Sequence, residues 1–425
     1  MPPVLLIAPP DAPPIASDLD ALGIVVAARC EATGLLREAV QTAEDTVVVA
    51  WDPHPAAVLL GALQLLQDHA PRPVLLFTSD TAVETLEQAL RAGVHAYVVN
   101  GYAAARLRPL LQLARARHAH ERAQRGAYAD LEARFEERKL VDRAKGILMR
   151  SRQVSEDEAF RMLRGASMQE HQRVGQVAHR VIEAARDAEM VNRAGQLRML
   201  SQRLVKLQAT RAAGADATAR AAVDAATAQV GETLEVLGRV LSRGTFGDLI
   251  DAVTQAWGAM RPQLAPSTPS AAQLVQLDAA AGRLLDGAER LTLALEVASP
   301  LATLGLVNRA GRQRMLSQRL AKQALIAALC EGEPARQAAA DAVRTVRDFE
   351  ATLAVLRDAP LTSPQTQADL AAAAGDWQQM LDGMRRAGDA AGRRLVAQAS
   401  DALLDRFERL TDEYGRLAQQ VFRAE

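Results

Sequence analysis

VNRAGQLRMLSQRLVK, residues 191–206, returns as VNRAGRQRMLSQRLAK at residues 307–322, with thirteen of sixteen positions identical across a separation of 116 residues. The segments around the two copies are far less alike, so the duplication has one sharply matched patch, and a shared chemical task is its natural meaning. Placed on a helix at about 100° per residue, Leu197, Leu200, Leu204 and Leu207 share one face and turn into a core. Breaks near Ala213-Gly214, Arg243-Gly244, Pro262–Pro269, Ser299-Pro300, Gly332–Pro334, Pro360–Pro364 and Ala387-Gly388 divide each half into four helices. Two antiparallel four-helix bundles are expected, over residues 187–298 and 299–425.

The opposite face of the repeated helix is unusual. Arg198 lies beside Val191, Ala194, Gly195, Gln202 and Val205, and Arg314 beside Val307, Ala310, Gly311 and Gln318. Small apolar residues around a single arginine suit close packing against another helix rather than a free surface. The two motif helices are therefore expected to face each other across a pseudo-twofold axis. Two guanidinium groups meeting in such a seam repel each other unless an anion lies between them, and the planar fork of arginine matches a planar oxyanion. Nitrate or nitrite fits, with Gln202, Gln318, Ser201 and Ser317 as further donors. The alternative is that both arginines pair with carboxylates of the bundles and fix helix register.

Working outward, composition agrees with a mainly helical chain. Of 425 residues, 49% are apolar and only 3% aromatic, and alanine is abundant after residue 110. Net charge is −1, so any nucleic-acid surface must be local. Two cysteines 300 residues apart exclude a disulfide framework and a cysteine-rich zinc site. No apolar run is long enough to cross a membrane, no secretory signal opens the chain, and the protein reads as soluble and cytoplasmic. There is no nucleophile–base pairing, metal cluster or phosphate loop, so neither enzyme activity, a metal nor a cofactor is expected.

Residues 1–120 alone alternate strands with helices. Val4–Ile7, Thr46–Val49, Val74–Phe77 and Ala96–Val99 are buried-strand runs, separated by helical stretches such as Ala56–Asp68 and Thr81–Ala92. This predicts an α/β domain with a parallel sheet. Residues 121–186 predict a basic helical module. Arg138 to Arg180 hold ten Lys or Arg against five Asp or Glu, whereas residues 1–120 hold eight against twelve. Tyr128, Leu131 and Phe135 form a short coiled-coil seam. Ser155-Glu156-Asp157-Glu158 and Ser167-Met168-Gln169-Glu170 are read as two capping boxes, each opening a helix.

Three resemblances attach to these residues. The N-terminal region resembles a response-regulator receiver domain, which needs an acidic pair after its first strand, an aspartate after the third and a lysine after the fifth. Here Ala8-Pro9-Pro10, Ala50-Trp51 and Asn100 stand in those places, and Thr78 or Ser79 matches the hydroxyl position. Without the carboxylates magnesium has no oxygen cage, so the domain reads as a pseudo-receiver; Asp52 as a shifted acceptor is the alternative. Glu137-Arg138-Lys139-Leu140, Arg143-Ala144-Lys145-Gly146-Ile147-Leu148-Met149, Ser155–Phe160 and Val177–Ile182 resemble the ANTAR domain, a family that binds paired stem-loops in leader RNA and blocks a terminator. By position in that motif Arg143, Lys145, Arg150 and Arg173 become RNA contacts, and Gly146 lets an RNA strand or a helix approach. The repeated phrase resembles PilJ-type and nitrate-sensing (NIT) helical bundles. Related receptors form their site between two subunits, whereas one chain holds both copies here.

Together these imply a NasT- and NasR-like transcription antiterminator in which nitrate or nitrite gates RNA binding. Its expected partners are leader RNA stem-loops, a second copy of the chain through the coiled coil, and in some settings a separate nitrate-sensor protein, with no membrane partner. The other readings are a signalling scaffold whose bundles only dimerise or recruit a partner, and a regulator controlled by phosphorylation. Residues 173–207 can run as one helix, which would carry displacement from sensor to RNA-binding surface.

Overall fold

The computed structural model describes residues 1–214, 217–266, 268–299, 301, 304–359 and 363–418. The chain divides into two compact units, Met1–Glu136 and Glu137–Glu425.

The first unit is built on five short strands, β1 (Val4–Ile7), β2 (Val26–Arg29), β3 (Val47–Trp51), β4 (Val74–Thr78) and β5 (Ala96–Val99). All neighbours are parallel, in the order β2-β1-β3-β4-β5, with Val4 opposite Val47 and Ala50 opposite Leu76. The crossovers are α1 (Ile15–Ala21), α2 (Leu35–Gln41), α3 (Ala57–His69) and α4 (Val83–Arg91), and α5 (Ala104–Arg152) follows β5. Val47, Val49, Leu75 and Phe77 face one buried layer and Val48, Ala50, Val74 and Leu76 the other, which is why these strands are apolar at every position. β2 and β5 are the two edge strands; burial along β2 alternates over Val26–Arg29, so it lacks the continuous buried run of the central strands.

At the carboxyl ends of β1 and β3 lies a cleft of about 1040 Å³ walled by Pro9, Pro10, Pro13 and Trp51. Asp52 accepts hydrogen bonds there from the backbone N–H groups of His54 (3.0 Å) and Ala56 (3.4 Å), so its carboxylate shapes its own loop. Thr78 is buried, donating to the Pro53 carbonyl and accepting from Asp80 N–H, both at 3.1 Å. Asn100 sits in the left-handed region at φ 47°.

His95 is the buried member of a histidine pair. Its Nδ1 accepts from Val74 N–H at 3.1 Å, and its Nε2 lies 3.2 Å from Nδ1 of His118 on α5. Burial, then the neighbouring His118 and Arg125, bring His95 down from 6.5 to about 4. As pH falls from 6.5 toward 4, the unfolded chain takes up a proton that folded His95 refuses. Stability is thus lost through this window, by about 3 kcal/mol. Protection factors of the β4 and β5 amides in the full chain, that is exchange corrected for its intrinsic pH dependence, should fall between pH 7 and 5, and His95→Gln should flatten that dependence.

In the second unit, the end of α5, α6 (Glu156–Gln169) and the start of α7 (Val174–Ala212) close over Ala144, Leu148, Ala159, Leu163, Val177, Val181 and Ile182. The first capping box forms as read: Ser155 Oγ accepts from Glu158 N–H, and the Glu158 carboxylate accepts from Ser155 N–H. The second does not. Ser167 is still inside α6, where Leu163 and Ala166 continue the buried stripe, and its hydroxyl donates to the Gln172 carbonyl. The chain turns at His171 (φ 54°), and the next helix begins after Arg173. A Cβ added at Gly175 would lie 2.7 Å from Glu137 Cγ, so a side chain there would displace the Glu137 carboxylate that accepts from Gly175 N–H at 3.1 Å.

α7 then runs unbroken from Val174 into the repeated motif, as residues 173–207 predict. It is followed by α8 (Ala217–Val240), α9 (Arg243–Met260) and α10 (Ala271–Ala298). The second half supplies α11 (Leu304–Leu329), α12 (Glu333–Arg357), α13 (Pro364–Arg385) and α14 (Ala390–Ala418). Each half thus has its four helices, but the halves share one continuous apolar core from Ala188 to Tyr414, with α7 and α11 at its centre. Pro300 and Pro360, two of the predicted breaks, lie outside the described residues. Among the described residues no helix is long and apolar enough to cross a membrane, and no group of three metal-ligating side chains occurs.

Candidate functional site: paired arginines and a basic helical module

The two motif copies lie on α7 and α11, packed against each other, and their arginines are the largest side chains buried completely, Arg198 at 1% and Arg314 at 0% exposure. They converge over the two motif glycines. A Cβ on Gly195 would stand 3.1 Å from Arg198 Nη2 and 3.7 Å from Arg314 Nη2. One on Gly311 would stand 3.1 Å from Arg314 Nη2 and 3.5 Å from Arg198 Nη2. Glycine in a helix interior costs about 1 kcal/mol against alanine, and here it leaves the space that two facing guanidinium groups occupy.

Each arginine also has a carboxylate. Arg198 Nη1 donates to Glu289 on α10 at 2.7 Å, and Arg314 Nη1 to Glu408 on α14 at 2.6 Å. The glutamates reach in from the rim, 40% and 37% exposed. Each pair uses a single nitrogen, and both Nε atoms are buried without a partner among the described residues. Arg314 Nη2 donates to Asn192 Oδ1 at 2.6 Å, while Arg198 Nη2 meets only the Asn308 carbonyl at 3.3 Å. Burial, and secondarily the neighbouring Arg314, lower the Arg198 guanidinium from its ordinary value, against the pull of Glu289.

The copies differ where it matters for these carboxylates. Glu289 is also approached by Arg312 at 3.6 Å, whereas Glu408 is met by the Gln196 amide at 3.3 Å. One glutamate is held between two guanidinium groups, the other between a guanidinium and a neutral amide.

The remaining four predicted anion donors are engaged elsewhere. Ser201 and Ser317 return their hydroxyl hydrogens to the carbonyls of Arg198 (2.7 Å) and Arg314 (2.9 Å), the usual habit of serine inside a helix. Gln202 donates to Ser201 Oγ and Gln318 to the Ser400 carbonyl, and both Oε1 atoms are buried without a donor. The structure therefore brings together the two arginines and not the serines and amides.

Helical periodicity missed two further charges. Lys206 and Lys322, the last motif residues, are 1% and 6% exposed. Lys206 Nζ pairs with Asp401 on α14 at 2.6 Å and with Ser400 Oγ at 3.1 Å; Lys322 pairs with Asp278 on α10. Each arginine thus meets a carboxylate of its own half, and each lysine one of the other half. The only sequence signal for the lysines was their identity in both copies.

In the basic module the predicted RNA contacts separate. Lys145 is held between Asp142 (2.8 Å) and Glu156 (2.7 Å), and these carboxylates raise its ammonium above the usual range. Gly146 has only Arg150 Nη1 near a built Cβ, at 3.6 Å, so no helix requires glycine there. Arg143 and Arg150 are exposed and line a common cleft, and Arg173 is exposed at the start of α7. Tyr128 and Leu131 of the predicted seam are 78% and 64% exposed on α5.

A helical bundle doubled within one chain, with a shared three-helix module before it, defines the class. Residues 182–283 and 302–421 match the type IV pili methyl-accepting chemotaxis transducer N-terminal family, PilJ, over more than half of the chain, and the chain belongs to that family. Residues 129–182 match the ANTAR domain. The N-terminal five-stranded sheet is receiver-like. Among known proteins the chain is similar to the transcriptional regulatory protein PdtaR of two strains of Mycobacterium tuberculosis, each 34% identical over 111 residues. That stretch is 26% of this chain and 54% of PdtaR, so the chain spans about half the length of the curated relatives it matches.

Proposed function

We propose that this chain is a ligand-gated, RNA-binding transcription antiterminator. Its ANTAR module binds leader RNA stem-loops, and nitrate or nitrite bound between Arg198 and Arg314 sets whether that module is competent. It acts as a regulator rather than an enzyme, works in the cytoplasm, and dimerises through Tyr128, Leu131 and Phe135. The observation that carries the anion reading is the convergence of two fully buried guanidinium groups over facing glycines, each with an unpartnered Nε. Glu289 and Glu408 are then competitors that occupy one edge of each arginine while the anion is away. Any gating requires different anion affinities in two conformations, and the continuous α7 joins the motif to the ANTAR core.

Calorimetry with nitrate, nitrite and chloride tests this. Glu408 is the less firmly held carboxylate, so Glu408→Gln should bind nitrate or nitrite at least about tenfold more tightly, a charge-assisted hydrogen bond being worth about 1.5–3 kcal/mol. The two ion pairs favour a second reading, in which the arginines only fix helix register within a scaffold. That reading expects no heat from any anion with either protein, and a less stable Glu408→Gln.

A further inference from the structure

The predicted RNA contacts Arg143 and Arg150 do not stand on a surface of the ANTAR module alone. They form one wall of a cleft of about 780 Å³ whose other walls come from α7, α8 and α14 of the PilJ region. Those walls add Arg186, Arg193, Arg239 and Arg416, so six arginines face two carboxylates, Glu189 and Asp412. Arg193 is paired with Glu189 at 2.9 Å, and Arg186 donates to the Val240 carbonyl at 2.7 Å. Among the described residues Arg143, Arg150 and Arg239 have no carboxylate within ion-pair distance, and Arg416 has only the field of Asp412, one helical turn away. Like charges left uncompensated in one concavity mark the place of an anionic partner.

We propose that this cleft is a composite grip on the RNA phosphate backbone, in which Arg239 and Arg416 of the bundle extend the surface begun by Arg143 and Arg150. The inference rests on the RNA-binding reading above. Its lining is aliphatic or small and polar apart from the charged groups, with no aromatic ring on which a base could stack. Such a wall holds phosphates and leaves bases alone, and it suits a nucleic-acid backbone better than a free nucleotide. Arginine is the side chain whose fork meets phosphate oxygens two at a time. The cleft also adjoins the anion seat, because Asn192 lines it while accepting from Arg314. RNA held here and an anion held there would act on the same residue, so each would alter the other's affinity by the same factor.

The experiment is fluorescence anisotropy of the full chain with a synthetic RNA of two tandem stem-loops, titrated over a series of potassium chloride concentrations. Arg239→Ala/Arg416→Ala should bind more weakly and lower the slope of log affinity against log salt by about 2, one for each lost phosphate contact. Arg239→Lys/Arg416→Lys should recover most of that slope. An unchanged slope in the alanine pair, alongside a loss in Arg143→Ala/Arg150→Ala, overturns the composite grip and leaves the ANTAR module binding alone. A natural protein that ignores the RNA at low salt overturns the RNA-binding reading as well. Calorimetric saturation by GTP or pyrophosphate, abolished in Arg239→Ala/Arg416→Ala while the RNA slope stays unchanged, assigns the cleft to a small phosphate ligand instead.

Discussion

With both Gly195 and Gly311 replaced by alanine, the protein is expected to fold at least as stably as the natural one and to lose its response to nitrate and nitrite. Both glycines sit inside long helices, where alanine is better by about 1 kcal/mol at each position. Against that gain stands one tight contact per site, a methyl 3.1 Å from a guanidinium nitrogen. The neighbour is the far end of a long side chain, and a shift of a few tenths of an ångström relieves it. The methyls fill the gap over which the Nη2 atoms of Arg198 and Arg314 converge, and with it the seat of a small planar anion. Thermal unfolding with and without nitrate is the readout, since a ligand held only by the folded state raises the midpoint as its concentration rises past Kd. A shift in the double variant as large as in the natural protein would place any bound anion elsewhere.

The second large effect concerns the lysine pairs that join the halves. Asp401→Ala should destabilise the bundle by about 3–5 kcal/mol, whereas Lys206→Met should cost less than about 1.5 kcal/mol. The asymmetry follows from burial: Lys206 is 1% exposed and Asp401 48%. Deleting the aspartate strands an ammonium in the core with only Ser400 Oγ at 3.1 Å, but deleting the lysine leaves a carboxylate that water can solvate. The pH dependence separates the two variants further. Desolvation already lowers Lys206, and loss of Asp401 lowers it more. Over the alkaline range up to the ordinary lysine value of about 10, the unfolded chain then binds more protons than the folded one, so the stability of Asp401→Ala rises with pH. Urea unfolding followed by helix content at neutral and alkaline pH measures both; equal losses in the two variants would contradict this account.

What could be read from the sequence follows its physical range. β1, β3 and β4 were legible because a central strand buried on both faces reads as a continuous apolar run, and β5 because Ala96-Tyr97-Val98-Val99 keeps such a run although it lies at an edge, while β2 at the other edge gave only Val26-Ala27-Ala28-Arg29. The helical course of α7 was legible because no proline interrupts it. Ser167 misled because a serine three residues before an acidic residue looks the same at a helix start and inside its last turn. The pairing of the motif helices could be inferred from small residues around an arginine. Its carboxylate partners could not: Glu289 lies 91 residues from Arg198 and Asp401 lies 195 from Lys206. Helical periodicity says which way a side chain points, not which distant helix receives it. The bonds of the Ser201 and Ser317 hydroxyls to the Arg198 and Arg314 carbonyls were legible from local chemistry alone, since a mid-helix hydroxyl has a carbonyl within reach.

The placement of both motif copies in one polypeptide has a consequence for how the molecule behaves on dilution. Where two separate subunits each supply an arginine, the seat exists only above the concentration at which they associate, and the two contributions are identical by symmetry. Here α7 and α11 are covalently joined and share one core, so their meeting is unimolecular and persists at a few copies per cell. Freed from symmetry, the copies have already diverged at Gln196 and Arg312, so an anion bound as proposed would have one orientation and a stoichiometry of one per chain.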